Sequence, residues 1–512
     1  EHDAYAVALF ENPEGTCAVN AHFGGEEQPL VDELTIPAER LEHWENAIWT
    51  SSSAPHLARF EMRKRFVSPP GLFAHTVHLL SDTWGGTVSL WGRAAEGEPF
   101  KPIATRDVPP IARAKPPARP AADLSLPQLY ESLESAIGFV LRCRNTAIDS
   151  RTAGGFFLLY DVEARTFRTS HWLWTWGVTA RMLLDASRLP EIETVFGPEP
   201  YNSAVAAGLR ALEFQWNRPG HPADGLVTVR WNPGRAYPLG FREFVSTADA
   251  SFLAGWAWAP LYEATGDAAF LDSTTRLCEA IERLSREHDV VPLDWLPETN
   301  DWKTFVLNEA GFGTEAFAEL HRITGEDRWR EAGCRYMDQL LAKFEREDGL
   351  WDRSWERDKQ EVMPCQFHAR GQGWAMEGLM AAHRMAPDGP YLDKARRLAE
   401  AMIGYQREDG AWPFTFNDPD HPATAEKGTA LWSYLLYRLF DATKDDRYRD
   451  AARRALRWCI DRQEGGADPD AAGSIVGCSL NSGIVYRYWF PIACLYTSAF
   501  MGLALMAEIR LT

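Results

Sequence analysis

Four short stretches decide the fold of this chain: Tyr262-Glu263-Ala264-Thr265-Gly266-Asp267, His321-Arg322-Ile323-Thr324-Gly325-Glu326, Arg384-Met385-Ala386-Pro387-Asp388 and Phe440-Asp441-Ala442-Thr443-Lys444-Asp445. They recur at intervals of about sixty residues, which is a period typical of repeat architectures. Each stretch ends one apolar helix with a short turn and leads into an amphipathic helix. The helices before the turns, such as 252–262, are apolar nearly all round, whereas those after the turns carry charge on one face. We therefore predict that one helix of each pair is buried and the other faces solvent.

Extending this repeat along the chain gives six helix pairs. The outer helices are predicted to begin near residues 128, 202, 268, 327, 390 and 446, and the inner helices near residues 172, 250, 309, 371, 428 and 490. Six pairs predict a mainly α protein with a closed (α/α)6 toroid. The alternative is an open solenoid, which would expose the apolar inner helices on a concave face.

The chain before the helices has a different pattern. From residue 4 to about residue 108 several stretches alternate at period two, as in Ala58, Phe60 and Met62 against Arg59, Glu61 and Arg63. A proline-rich segment follows, which supports neither a helix nor a strand ladder. We predict a β-rich module resembling a small antiparallel sandwich at 1–108, a linker at 109–122 and the barrel at 123–512.

Composition excludes several functional classes. The chain has 512 residues, 45% of them hydrophobic, so it is long enough for one large core and a smaller domain. No stretch approaches the ~20 uncharged apolar residues of a membrane-spanning helix, so we expect no integral membrane protein. The 53 basic and 72 acidic residues give a net charge of −19, which opposes binding to a phosphate backbone. We therefore expect no nucleic-acid partner.

The eight cysteines contain no CxxC pair and no cluster with histidine. Free buried thiols are favoured over disulfides, and they indicate a reducing compartment. We therefore expect a cytoplasmic location. The periplasm stays the alternative, because the N-terminus, which starts at Glu1 rather than Met, is uninformative.

The repeat also predicts where catalytic side chains lie. In a toroid the loops that enter the inner helices converge on one end of the axis. Equivalent positions before successive inner helices hold Asp249, Glu309, Arg370 and Lys427. Acid/base hydrolysis needs a proton donor and a group that steers or deprotonates water, and Asp249 and Glu309 suit those roles. The alternative is that each carboxylate only caps a helix or interacts with its dipole.

Arg370 stands in His368-Ala369-Arg370-Gly371-Gln372-Gly373-Trp374, where two glycines allow close backbone approach. A guanidinium there can bind a carboxylate with two parallel hydrogen bonds, as a uronic acid would require. The alternative is an arginine in an internal salt bridge. Tryptophans whose faces can stack on sugars crowd the starts of the inner helices: Trp172, Trp174 and Trp176 after His171, then Trp256, Trp258 and Trp374.

Metal and nucleophile chemistry have little support in the sequence. The 13 histidines show no HxH, HExxH or 2-His-1-carboxylate spacing, and there is no GxSxG motif or phosphate-binding loop. We predict no cofactor and no metal ion.

Two motifs resemble a known group of enzymes. Asp249-Ala250-Ser251-Phe252-Leu253 running on to Thr265-Gly266-Asp267, together with Ala369-Arg370-Gly371-Gln372-Gly373-Trp374, is similar to the unsaturated glucuronyl and unsaturated rhamnogalacturonyl hydrolases over residues 125–512. The resemblance implies that Asp249 is the first active-site aspartate and that Glu309 takes the place of the second, the proton donor. It also implies an early stacking tryptophan at Trp174 or Trp176 and a substrate-side pair at Arg370 and Trp374.

The glutamate at 309 departs from the aspartate of that family. Its extra methylene shifts the carboxyl by roughly an ångström, which requires a different substrate pose. Family members hydrate the C4–C5 double bond left by a lyase, whereas a variant with glutamate would suit an ordinary β-glucuronide. The predicted substrate-binding residues are His171, Trp174, Trp176, His368, Arg370, Gln372 and Trp374.

The main hypothesis is exo-hydrolysis of a terminal uronic acid, saturated or unsaturated, from an acidic oligosaccharide. Three alternatives stay open: a sugar epimerase using His171 and His368 as acid and base, a polysaccharide lyase, and a non-catalytic glycan-binding protein that would not need Asp249 and Glu309. Assembly into a homo-oligomer is also left open.

Overall fold

The computed structural model describes residues 124–512 except 163–164, 169–170, 232–241, 298, 304–310, 353, 364–368, 414–415, 417–423, 467, 477–478, 483–484 and 490–491. Before residue 124 it describes the backbone of seven strands: β1 (His2–Asn12), β2 (Val19–Gly25), β3 (His43–Ala47), β4 (Ala58–Ser68), β5 (His75–Ser81), β6 (Gly86–Arg93) and β7 (Lys101–Val108).

These strands pair in antiparallel fashion. Five form a sheet in the order β3-β4-β1-β6-β7, and β2 pairs with β5. This antiparallel pairing of strand backbones agrees with the pattern predicted for 1–108, while the small sandwich-like module itself stays a prediction. The predicted linker at 109–122 lies outside the described residues, so the division into domains stays a prediction.

Helices dominate from residue 126 to the end. Six outer helices begin within a few residues of the predicted positions: α1 (Leu126–Arg142), α4 (Glu199–Leu212), which follows the short α3 (Pro190–Phe196), α7 (Ala268–Glu287), α9 (Asp327–Phe344), α11 (Tyr391–Gly404) and α13 (Asp446–Asp461). Each of these outer helices has one buried face and one face exposed to solvent. Asp267 caps α7 and Asp445 caps α13, each accepting a hydrogen bond from the second helical N–H, at 3.0 Å in both cases.

Six inner helices alternate with the outer ones. They are α2 (Trp174–Ala186), a composite of α5 (Thr247–Phe252), a π-helical segment (Leu253–Trp258) and α6 (Ala259–Thr265), then α8 (Gly311–Thr324), α10 (Ala369–Met385), α12 (Glu426–Thr443) and α14 (Leu495–Ile509). Each packs against the next, and α14 packs against both α2 and α1. The ring is therefore closed among the described residues, so the predicted toroid is confirmed and the open solenoid was the wrong alternative.

Glycines let neighbouring inner helices approach closely. A Cβ at Gly177 of α2 would lie 2.6 Å from the carbonyl oxygen of Phe252, and one at Gly428 of α12 would lie 2.7 Å from the Cβ of Ala369. Both distances are too short for any side chain, so these positions require glycine. The contacts bring together the helix starts that carry the candidate site.

The outer helices are joined by a second kind of glycine contact. Gly473 follows α13 with φ of +80°, and a Cβ there would overlap the carbonyl oxygen of Ser135 in α1. The adjacent Gln463 donates hydrogen bonds from Nε2 to the carbonyl oxygens of Ser132 and Gly473, at 3.0 and 2.9 Å. This contact joins the last outer helix to the first and so closes the outer ring.

Short strands occupy the connections that lead from outer to inner helices. They are β8 (Leu159–Asp161), β9 (Thr166–Arg168), β10 (Val227–Trp231), β11 (Arg242–Ser246), β12 (Asp294–Leu296), β13 (Asp301–Lys303), β14 (Ser354–Glu356), β15 (Glu361–Met363), β16 (Ser479–Ser482), β17 (Val485–Trp489) and β18 (Ile492–Cys494). β11 runs directly into α5, and β18 runs directly into α14. All of them lie at the end of the ring where the inner helices begin, which we call the mouth.

Four described cysteines agree with the expectation of free thiols: Cys143, Cys278, Cys334 and Cys459. In the part of the chain that the structure describes, no helix combines the length and the apolar character needed to cross a bilayer.

Candidate active site

Arg370 lies in the first turn of α10, at the mouth, with only 7% of its surface exposed. Its guanidinium carbon lies 4.8 Å from the ring centre of Trp374, 5.6 Å from that of Trp174 and 5.7 Å from that of Tyr496. No carboxylate among the described residues forms an ion pair with it, and its Nε is buried without a hydrogen-bond partner there. The internal salt bridge considered for Arg370 is therefore not found within the described chain.

We call Trp174, Trp374 and Tyr496 the aromatic cage. The Trp374 indole N–H donates to the Tyr496 hydroxyl at 3.3 Å, and the Trp174 and Tyr496 rings lie 4.7 Å apart. Because Tyr496 contacts both tryptophans and all three rings lie within 6 Å of the guanidinium carbon, they fix the position of the guanidinium. A planar cation held this way has its hydrogen-bonding edge available for a planar anion.

Asp249 stands in the first turn of α5 and is 2% exposed. Its Oδ1 accepts a hydrogen bond from the Trp174 backbone N–H at 2.7 Å, and its Oδ2 accepts one from the Ser246 hydroxyl at 2.7 Å. Ser246 in turn caps α5 by accepting from the Asp249 N–H at 3.1 Å. The carboxylate thus takes part in helix capping, as the alternative interpretation held, and it also joins β11 to the start of α2, the helix that supplies Trp174.

Two predicted substrate-binding residues form hydrogen bonds inside the protein. Trp176 is fully buried and donates from its indole N–H to the Phe156 carbonyl oxygen at 2.9 Å. The Gln372 side chain accepts from the Trp351 N–H at 2.9 Å and donates to the Trp351 carbonyl oxygen at 2.8 Å. Both polar groups are therefore used internally, and a role in contacting substrate is not supported for either residue. Trp258, predicted at an inner-helix start, instead lies twelfth in the composite helix that begins at Thr247, and it is likewise fully buried.

His171 lies just before α2 but is 8% exposed. Its Nε2 lies 3.0 Å from the Thr228 carbonyl oxygen, and its ring centre lies 4.2 Å from that of Phe214. Since a carbonyl only accepts, Nε2 carries the proton of this hydrogen bond. That contact makes His171 a poor general base at this nitrogen.

The remaining predicted residues divide into two groups. Lys427 is in the first turn of α12 at the mouth and is 5% exposed, so its expected placement is consistent with the structure. Glu309 and His368 lie in 304–310 and 364–368, outside the described residues. Their roles stay predictions.

Sequence reasoning missed two residues. Tyr496 completes the aromatic cage from the start of α14, the last inner helix. The predicted site positions were counted back from the four repeated turns, and no such turn follows α14, so the count did not reach Tyr496. Asp294 pairs with Ser246 across the β11–β12 ladder, and Thr247 donates to the Leu293 carbonyl oxygen at 2.9 Å. Residues directly opposite in such a ladder place their side chains on the same face, roughly 5 Å apart. Asp294 therefore lies beside the serine that binds the Asp249 carboxylate.

The mouth thus brings together a caged cation, a buried carboxylate and stacking aromatic rings. A cation of this kind suits an anionic group on a sugar, and the aromatic faces suit the C–H faces of its ring. The carboxylate can take part in proton transfer to or from water or a glycosidic oxygen.

A comparison with curated proteins finds a glycoside hydrolase as a partial match. An unsaturated 3S-rhamnoglycuronyl hydrolase from Alteromonas sp. (strain LOR) is 28% identical over 130 residues, which are 24% of this chain and 32% of that protein. The chain therefore matches about a third of the length of this curated relative.

Two solved structures share the fold. The unsaturated glucuronyl hydrolase from Bacillus sp. GL1, described as responsible for glycosaminoglycan degradation, is 15% identical with a TM-score of 0.56, covering 74% of this chain and 96% of its own. Cellobiose 2-epimerase from Bacillus thermoamylovorans B4167 is 13% identical with a TM-score of 0.56, covering 76% of this chain and 99% of its own. The fold is therefore common to hydrolases and epimerases and does not separate them.

The sequence profile of Glycosyl Hydrolase Family 88 does separate them, since it matches residues 247–512, which include Asp249, Arg370 and Trp374. With slightly more than half of its 512 residues inside that profile, the chain belongs to Glycosyl Hydrolase Family 88.

Proposed function

We propose that the chain is an exo-acting glycoside hydrolase that removes a terminal uronic acid, saturated or unsaturated, from an acidic oligosaccharide. Family membership supports the hydrolase class. The observation that carries the choice of substrate is the Arg370 guanidinium, held by three aromatic rings with no carboxylate partner among the described residues. Keeping a buried cation without a counter-ion costs stability, and a substrate carboxylate would supply the missing charge.

Asp249 and Glu309 are the proposed acid/base pair. In hydrolysis of a saturated uronide, one carboxylic acid gives its proton to the glycosidic oxygen, and the bond from that oxygen to the anomeric carbon breaks, so the aglycone leaves as an alcohol. Water adds at the anomeric carbon and loses a proton to the other carboxylate. The two carboxyls need to be close enough for the charge of one to oppose ionisation of the other. The assignment of Glu309 rests on its place in the repeat and on the family resemblance.

A screen of two substrate types tests the reaction. The release of nitrophenol from 4-nitrophenyl β-glucuronide indicates glucuronidase action, and loss of ultraviolet absorbance from lyase-generated unsaturated disaccharides indicates enol hydration. A rise in that absorbance with an intact polysaccharide would indicate a lyase and would refute the proposal.

Asp249→Asn and Glu309→Gln variants test the pair. The asparagine oxygen can still accept from the Trp174 N–H, so the fold should hold. Each variant should lower kcat on the order of 10²-fold or more, and the double variant should lose little further. Asp267→Asn is the matched control, because Asp267 caps the exposed start of α7 away from the mouth. Near-normal kcat in either single variant would exclude that residue from the mechanism.

An epimerase remains the second candidate because that fold is shared. The engaged Nε2 of His171 counts against it. Interconversion of a neutral disaccharide with no bond cleavage would favour it over hydrolysis.

A further inference from the structure

Glu377 lies on α10 seven residues after Arg370 and three after Trp374 and is fully buried. Positions separated by three, four or seven residues share one face of a helix. Because Arg370 and Trp374 belong to the mouth, Glu377 lies on the same face, deeper along the axis by roughly 10 Å from Arg370.

The Glu377 carboxyl differs from other buried glutamates of the ring. Both of its oxygens are buried with no hydrogen-bond partner among the described residues. By contrast, Glu315 pairs with Arg384 at 2.7 Å, Glu319 with Arg384 at 2.6 Å, and Glu508 with Arg453 at 3.1 Å. A carboxylate that is buried without hydrogen bonds is costly, so the neutral acid is the favoured form.

Charged and titratable groups reach Glu377 from three neighbouring inner helices. They are Glu315 of α8, Arg438 of α12 and Tyr496 of α14. Burial raises the pKa of Glu377 well above its usual range, while Arg438 opposes this and the Glu315 charge adds to it. Burial also raises the pKa of the Tyr496 hydroxyl, and the nearby Glu377 adds to that shift. The outer helices α9 and α11 pack on the other side of α10, away from the axis.

We propose that Glu377 is a positioning residue for the uronate site: its neutral carboxyl, one turn beyond the aromatic cage, leaves the charge of Arg370 uncompensated for a substrate carboxylate, and its ionisation weakens uronate binding at alkaline pH. This inference rests on the proposed function for the identity of the anion. An ionised Glu377, roughly 10 Å along the helix axis from Arg370, would repel a carboxylate bound to that arginine, at a separation of about 10–15 Å. At an effective dielectric constant of about 20, the weakening is on the order of tenfold.

Glu377→Gln tests the neutral state without any ligand. Since the folded-state pKa is raised, the native protein binds more protons than the unfolded chain above about pH 4.3, so this group lowers stability as pH rises. Glutamine has no such dependence. The melting temperature of Glu377→Gln minus that of wild type should therefore become more positive as pH rises from about 5. The matched control is Glu508→Gln, which breaks ion pairs to Arg449 and Arg453 and should melt lower than wild type at neutral pH.

Glucuronate binding, followed by quenching of tryptophan fluorescence with glucose as the neutral reference, tests the role. Wild-type affinity for glucuronate should fall about tenfold on the alkaline side, and Glu377→Gln should remove that fall. In kinetics the change should appear in KM rather than in kcat. Equal pH dependence of glucuronate binding in both proteins, or parallel melting curves across pH, would overturn the role of Glu377 alone. Failure of the wild type to prefer glucuronate over glucose would refute the proposed function, and this inference would fall with it.

Discussion

Replacing Arg370 with methionine should remove uronate recognition without lowering stability. The change costs three cation–π contacts, with ring centres 4.8, 5.6 and 5.7 Å from the guanidinium carbon. At about 0.5–1 kcal/mol each, they contribute about 1.5–3 kcal/mol. The change also removes a buried charge that has no counter-ion among the described residues, and the desolvation of such a charge costs several kcal/mol.

Methionine also regains part of the lost contacts, since its thioether packs favourably on aromatic rings by about 0.3–1.5 kcal/mol. The net change for Arg370→Met is therefore expected to lie between about zero and 2 kcal/mol in favour of the variant. A functional residue that destabilises the empty protein has this signature, whereas a structural arginine does not.

Arg384→Met on the same helix is the matched control. Arg384 donates to Glu315 at 2.7 Å and to Glu319 at 2.6 Å, and both glutamates are buried. Removing it leaves the two buried carboxylates with one arginine each, Arg322 for Glu319 and Arg438 for Glu315, so we expect a loss of about 3 kcal/mol, at the lower end for a broken buried ion pair. Thermal unfolding of both variants beside wild type measures the contrast.

Substrate assays complete the test. Loss of a bidentate, charge-assisted interaction worth about 1.5–3 kcal/mol should lower kcat/KM for a uronide by about 10- to 150-fold. Arg370→Lys should also weaken uronide binding more than binding of the matching neutral glycoside, because a point charge replaces the planar fork. The reasoning is refuted if Arg370→Met is destabilised as much as Arg384→Met, or if the loss is the same for charged and neutral substrates.

The two remaining predictions use paired positions. Gly473→Ala should lower stability by about 2 kcal/mol or more, because its Cβ would overlap the Ser135 carbonyl oxygen. Gly220→Ala is the control: Gly220 has a similar positive φ with nothing within 4 Å, so the change should cost only about 1 kcal/mol. Equal melting temperatures of the two variants would contradict the contact between Gly473 and Ser135. Trp174→Phe should raise KM for a uronide while changing the melting temperature little, whereas Trp176→Phe should lower stability by about 2 kcal/mol with KM unchanged. A KM effect at Trp176 would reinstate it as a binding residue.

The repeat was enough to predict the ring because each helix must bury an apolar face and each turn uses local chemistry. The Thr265-Gly266-Asp267 turn shows this: Gly266 adopts φ of +73°, and Asp267 caps α7. Such preferences act within a few residues, so they are legible in the sequence. The same local regularity correctly placed Asp249, Arg370 and Lys427 at inner-helix starts.

What each side chain does at those starts depended on its partners in space. Trp174 and Trp176 are two residues apart, yet one ring faces Arg370 and the other donates to Phe156 inside the core. A spacing of two residues turns a helical side chain by about 200°, but which of the two directions faces the axis is set by how α2 packs in the ring. Tyr496 and Glu377 likewise gain their significance from helices distant in sequence. The amino-acid order thus determined the helices and their turns, while ring closure decided which charges are caged, paired or left without a partner among the described residues.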